Sequence, residues 1–148
     1  SEDIENILLP LTLDLPGRTL YMDKSDVTFK PGVDQLPGTC MEYYLIDNGL
    51  VYETEKSSIL IQTKDAPMVY MGELKHHPIL LCDNKEENNQ RDVYSWIMNN
   101  IWETNFKMDL SGITEFCYSL NMIETENVEG SFKAMKDEDY GVVTFMID

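Results

Sequence analysis

Met41-Glu42-Tyr43-Tyr44-Leu45-Ile46-Asp47-Asn48-Gly49-Leu50-Val51-Tyr52-Glu53-Thr54 sets two apolar, β-prone runs on either side of a polar corner. Asn-Gly between such runs is the strongest short-range hairpin signal, because both central residues of a two-residue hairpin turn need positive φ. We therefore expect strands over 41–46 and 50–54, joined as a hairpin through Asp47-Asn48-Gly49.

Toward the amino terminus, every odd position from Ile7 to Leu15 is apolar, with Pro10, Thr12 and Asp14 between. That is the period of a strand with one buried face. Pro10 cannot donate to a ladder, so the strand over 7–15 belongs at a sheet edge. Pro16-Gly17 reads as a turn, 19–22 and 27–30 as short strands, and Pro31-Gly32 and Pro37-Gly38 bracket a loop.

Toward the carboxyl terminus, Lys56-Ser57 punctuates the chain before runs at 59–63 and 68–71, which Asp65-Ala66-Pro67 separates. A further apolar run covers 79–82. Residues 83–92 contain no apolar side chain and are expected to form a solvated loop. Strands are expected again over 93–98, over 114–120, where Phe116, Tyr118 and Leu120 alternate with Glu115, Cys117 and Ser119, and over 142–147. Val128, Phe132 and Met135 have helical spacing and predict a short helix near 126–137, although Gly130 inside it weakens it by about 1 kcal/mol relative to alanine. Roughly ten short strands with turn signals every eight to twelve residues or so point to an all-β fold, an antiparallel β-sandwich forming one domain, or part of one, over 1–148.

Twenty-seven acidic against eleven basic side chains give a net charge of -16, which repels phosphate backbones and anionic lipid headgroups. Nucleic acid and membrane are accordingly not expected as partners. Cys40, Cys82 and Cys117 are widely spaced, with no CxxC pair, and each lies in an apolar stretch. They read as reduced core cysteines of a cytoplasmic protein. No apolar run approaches the roughly twenty residues that span a bilayer. The opening Ser1-Glu2-Asp3 reads as an internal cut, so a targeting signal of a parent protein would lie outside this sequence.

With so many acids, some carboxylate pair will meet the roughly 5 to 9.5 Å spacings of glycoside hydrolysis by chance, and no catalytic pair is assigned. His76 and His77 are adjacent, so in an extended segment they point to opposite faces and are expected to be loop residues rather than ligands. The loop over 83–92 is rich in hard oxygen donors suited to calcium, but it lacks an EF-hand glycine and carries Lys85 and Arg91. Ser95 is not followed by the glycine of a nucleophile elbow. No metal ligand is assigned to any residue.

The stretch 94–106 concentrates Trp96, Trp102, Asn99, Asn100 and Asn105. Tryptophan faces stack on sugar rings and asparagines bind hydroxyls, so these five residues are the candidate substrate-binding set. The competing reading makes the tryptophans core and the asparagines backbone-binding turn residues. Ile97, Met98, Ile101 and Phe106 beside them favour that structural role.

The tryptophan-asparagine stretch resembles a motif in the carboxyl-terminal part of the retaining α-mannosidases of glycoside hydrolase family 38. Three more segments resemble the same part of that family: Pro31-Gly32-Val33-Asp34-Gln35-Leu36-Pro37-Gly38-Thr39-Cys40, Thr63-Lys64-Asp65-Ala66-Pro67-Met68-Val69 and Phe116-Cys117-Tyr118-Ser119-Leu120. They occur in family order over residues 10–120, whereas residues from Met122 onward match no family segment. The resemblance implies a supersandwich-like, galactose-mutarotase-like β region, downstream of a catalytic α/β barrel that binds zinc through histidine and aspartate. No His-x-Asp occurs here, so no catalytic or zinc-binding residue carries over.

The expected function is that of a non-catalytic sandwich in an α-mannosidase-like hydrolase. Its partner is the parent's catalytic domain, and mannose-containing carbohydrate is a further expected ligand. This chain itself is expected to hold no cofactor. The alternatives are a carbohydrate-binding module using an exposed tryptophan, and a calcium-dependent interaction domain using the loop over 83–92.

Overall fold

The computed structural model describes residues 6–74, 92–99, 112–124 and 127–140. Among the described residues nine strands and one helix follow in the order β1 (Asn6–Pro10), β2 (Thr19–Lys24), β3 (Val27–Phe29), β4 (Tyr43–Leu45), β5 (Gly49–Glu53), β6 (Ser57–Thr63), β7 (Met68–Met71), β8 (Val93–Asn99), β9 (Tyr118–Glu124) and α1 (Val128–Tyr140). The strands form two antiparallel sheets, a four-stranded one ordered β1-β8-β7-β4 and a five-stranded one ordered β3-β2-β5-β6-β9. The all-β sandwich is as the sequence pattern implies. The expected runs over 79–82, 83–92 and 142–147 lie outside the described residues, apart from Asp92.

The sheets share one apolar core. Leu20, Met22, Leu50, Tyr52 and Ile61 of the larger sheet meet Tyr44, Val69, Met71 and Val93 of the smaller, and Ile46 joins them from the corner that follows β4. Strand alternation then assigns the other face of the larger sheet. There Val51 and Leu60 pack against Phe132 and Met135 of α1, with Tyr21, Ile123 and Val128 around them. Burying two such helix side chains contributes roughly 1.5 to 3 kcal/mol each. β5 is therefore covered on both faces and paired on both edges, and its buried pattern is continuous rather than alternating.

The expected hairpin at Asp47-Asn48-Gly49 does not form. β4 pairs with β7 and β5 pairs with β2 and β6, so this corner carries the chain from one sheet to the other. Gly49 is not among the glycines with positive φ. It lies so close to β6 that a Cβ there would collide with the Ile61 carbonyl oxygen and sit 2.9 Å from Gln62 Cα. The positive-φ hairpin turn falls instead on Ser25 and Asp26 (φ 52° and 61°), between the paired Lys24 and Val27. Lys24 Nζ and the Ser25 amide both donate to the Asp47 carboxylate, at 2.6 and 2.5 Å, and tie that turn to the crossover.

Pro16-Gly17 forms a turn, with the Arg18 amide donating to the Leu15 carbonyl at 3.3 Å and Gly17 at φ 67°. Pro10 lies on an edge strand, as expected, but β1 ends there instead of running to Leu15. Leu11, Leu13 and Leu15 continue as irregular chain and still pack on the core, while Ile7 and Leu9 are exposed. The strand expected over 114–120 begins only at Tyr118 and runs to Glu124, because it pairs in unbroken register with all of β6. Helix α1 starts at a cap: Asn127 Oδ1 accepts from the Gly130 amide at 2.6 Å, so Gly130 occupies the first turn, where its low helix propensity matters least. Cys117 is exposed and Cys40 half-buried, so neither is the core thiol expected, and Cys82 lies outside the described residues. Among the described residues no helix is long and apolar enough to cross a membrane.

Candidate functional site

Strand alternation puts Val69, Met71 and Val93 on the core face of the smaller sheet, and so Tyr70, Tyr94 and Trp96 on its outer face. Tyr43 pairs with Tyr70, which pairs with Tyr94, so three tyrosines line up across three strands. The Trp96 ring meets Tyr43 edge-on at 6.0 Å and Tyr70 at 5.8 Å between centroids. Its indole N–H donates to Asn6 Oδ1 at 2.8 Å across the β1–β8 pair, and the residue is only 6% exposed. An edge-to-face pair adds about 0.5 to 1.5 kcal/mol to the burial itself, so Trp96 is the anchor of this outer layer.

Asn99 closes the same strand opposite Asn6 and is half-buried. Asn100, Trp102 and Asn105 lie outside the described residues. Of the five sequence candidates the structure thus brings Trp96 and Asn99 onto one strand. It adds Tyr43, Tyr70 and Asn6, which the sequence reading did not select. Only the strand pairing reveals them: Tyr43 and Tyr44 are adjacent, and nothing local says which of the two faces outward.

The other distinctive segments converge on the same framework. Gln35, in the turn-rich stretch before β4, accepts from the Gly32 amide at 2.7 Å and from Tyr44 Oη at 2.8 Å, and donates to the Cys40 carbonyl at 3.1 Å. Asp65, between β6 and β7, accepts from the Cys117 amide at 2.8 Å. Ser95 Oγ and Tyr118 Oη are 2.8 Å apart, and Ser119 Oγ donates to Gln62 Oε1 at 3.0 Å. Gln62 is itself buried and donates to the Met135 carbonyl at 3.0 Å, which fastens α1 to the larger sheet. These polar groups bind one another and leave little capacity for an outside ligand.

A cleft of about 530 Å³ opens between the β2–β3 turn and α1, with Asp23 and Phe132 among its lining residues and Asp26, Glu129 and Lys136 as its charged rim. Asp23, 2% exposed, accepts from the Asn48 amide at 3.0 Å, from Asn48 Nδ2 and from the Gly49 amide at 3.4 Å. Lys136 pairs with Asp26 and Lys133 with Asp137. The Lys24 ammonium and the Ser25 amide hold the nearby Asp47 carboxyl below its ordinary pKa. The charges of this cleft join two turns and a helix. Among the described residues no group of three or more His, Cys, Asp or Glu is arranged to hold a metal ion. No protein-family model, no curated protein and no solved structure matches the chain.

Proposed function

We propose that this chain is a non-catalytic β-sandwich of an α-mannosidase-like hydrolase of glycoside hydrolase family 38. It braces a catalytic domain carried elsewhere in the parent protein and helps to shape the rim of that domain's sugar site. Zinc chemistry and the nucleophile belong to that domain, and no residue here takes part in them.

One observation carries the reading. Where they are described, the four segments that resemble the family tie distinctive side chains to neighbours within the sandwich: Gln35 to its own loop, Asp65 to Cys117, Ser95 to Tyr118 and Trp96 to Asn6. Residues retained for chemistry would instead converge on an open pocket with unpaired groups aimed into it. Motif residues that lock strands to one another fit a supporting body.

The test is hydrolysis of an aryl α-mannoside. This 148-residue chain is expected to give none, and a parent protein that contains it is expected to be active. In that parent, Trp96→Ala removes a buried aromatic anchor and should cost about 3 to 5 kcal/mol of stability, with activity lost in step with the folded fraction. Turnover by the isolated chain, or a parent with no zinc-binding barrel upstream, would overturn the proposal.

A further inference from the structure

Among the described residues the two open sheets leave four edge strands, and three of them are guarded against pairing with another chain. β1 carries Pro10 and a register break between Ile7 and Leu8, while β3 and β4 have three residues each. Proline, bulges and shortness are the ordinary devices that stop an edge from templating a new strand. β9 has none of them. Its seven residues pair with β6 in unbroken register, and Tyr118 through Ile123 carry no charge, proline or glycine.

The exposed side chains of β9 reinforce the point. Leu120 and Met122 lie opposite Ile61 and Ile59, on the face that builds the core between the sheets, yet they are 68% and 73% exposed. The core face thus continues onto a fifth strand that the four-stranded sheet does not cover. Among the described residues nothing pairs with the outer edge of β9.

We propose that β9 is a self-pairing edge, on which a second copy of this chain adds its own β9 antiparallel to make one continuous ten-stranded sheet. The sequence of the strand is self-complementary. A twofold axis through Asn121 sets Leu120 of each copy opposite Met122 of the other, which buries four apolar side chains in one cluster, and sets Ser119 opposite Ile123. It also sets the single charged residue of the strand, Glu124, opposite Tyr118, so within the strand pair no like charges face each other, while Glu138, bonded to Asn121 at 3.1 Å, brings one carboxylate from each copy near the axis and adds to the repulsion. A basic peptide would gain nothing from this uncharged edge. The inference rests on the fold and not on the family reading.

The seam is about 24 Å long at roughly 3.4 Å per residue, short for a stable interface. Each copy carries -16, so long-range repulsion opposes the contact. The dimer is therefore weak, and salt strengthens it. Sedimentation velocity across a wide concentration range provides the test. Raising NaCl from about 0.1 to about 1 M cuts the screening length from roughly 10 to roughly 3 Å and should tighten association several-fold. Met122→Lys should abolish it although that change reduces the net negative charge, because it buries cations in the apolar cluster. Leu45→Lys, on the edge strand β4, should leave it intact, and circular dichroism checks that both variants fold. In the dimer the β9 amides should gain protection from hydrogen exchange. A monomer at every salt and concentration, a dimer indifferent to Met122→Lys, or one that salt dissolves would each overturn the proposal.

Discussion

Asp65 acts on Cys117 twice. Its carboxylate accepts the Cys117 amide at 2.8 Å, and the same carboxylate, hydrogen-bonded to the thiol and negatively charged beside it, pushes the thiol pKa above its ordinary value. Only the thiolate reacts with an alkylating reagent, so at a given pH this cysteine should react more slowly than a free thiol in spite of its exposure. In a Cys40→Ser, Cys82→Ser background, Asp65→Asn should move the midpoint of the alkylation rate to lower pH while keeping an acceptor for the amide. An unmoved midpoint would mean that the carboxylate does not govern the thiol. The sequence put Cys117 in an apolar run and so suggested a core thiol. That reading failed because Cys117 precedes an edge strand whose own residues stay largely exposed even where they are paired. Trp96 is the opposite case: its apolar neighbours indicated a structural role, and its ring is buried, but its partners Tyr43 and Tyr70 come from strands that no local pattern connects to it.

The corner between β4 and β5 shows what decides an element when propensity and burial conflict. Asn48-Gly49 has the composition of a hairpin turn, but β5 is apolar on both faces and needs β2 and β6 beside it to bury them. A hairpin with β4 would take one of those edges. The glycine is required for a different reason, its contact with the β6 backbone at Ile61 and Gln62. Gly49→Ala should therefore cost at least about 2 kcal/mol through overpacking, since rigid backbone and not a flexible side chain stands in the way. Asp23→Ala strips the acceptor from two amides at the same corner and should cost about 3 kcal/mol, measured like the first by urea unfolding. Because the two changes act at one corner, the double variant should cost less than the sum of the singles. Full additivity would mean that Asp23 and Gly49 hold separate structures. The Pro-Gly turn at residues 16 and 17 and the spacing of α1 were readable from the sequence, since each depends on near neighbours, whereas the two period-two runs marked strands but not their ends, which pairing with β8 and β6 sets. The allotment of strands to sheets was not, because it depends on which residues cover β5 from far along the chain.

At the scale of the whole molecule, the sandwich is sealed by a tyrosine whose ionisation the fold resists. Tyr52 sits at the centre of the core between the sheets, and its hydroxyl donates to the Leu11 carbonyl at 3.0 Å, which draws the irregular leucine stretch after β1 against the larger sheet. Burial pushes its pKa up to about 12, even with the Arg18 guanidinium 5.0 Å from the ring centroid acting the other way. Tyr43, in the aromatic layer on the far side of the smaller sheet, is likewise raised to about 12, first by burial and then by neighbouring Cys40. An unfolded chain releases these protons near pH 10 and the folded one near 12, so within that window the unfolded state holds fewer protons and stability falls as pH rises. The contribution is fully present below pH 10 and gone above about 12, and for Tyr52 it amounts to roughly 2 to 3 kcal/mol. Lysine deprotonation adds to the net negative charge in the same range, so the wild-type pH profile alone does not isolate the tyrosine. Tyr52→Phe does. It should cost about 1 kcal/mol at pH 7 by losing the Leu11 hydrogen bond, and between pH 10 and 12 its unfolding free energy should decline less steeply than that of the wild type, until the two profiles cross. Parallel profiles across that interval would show that Tyr52 ionises as readily in the fold as outside it, and the packing that joins the two sheets around its ring would have to be looser than this structure draws it.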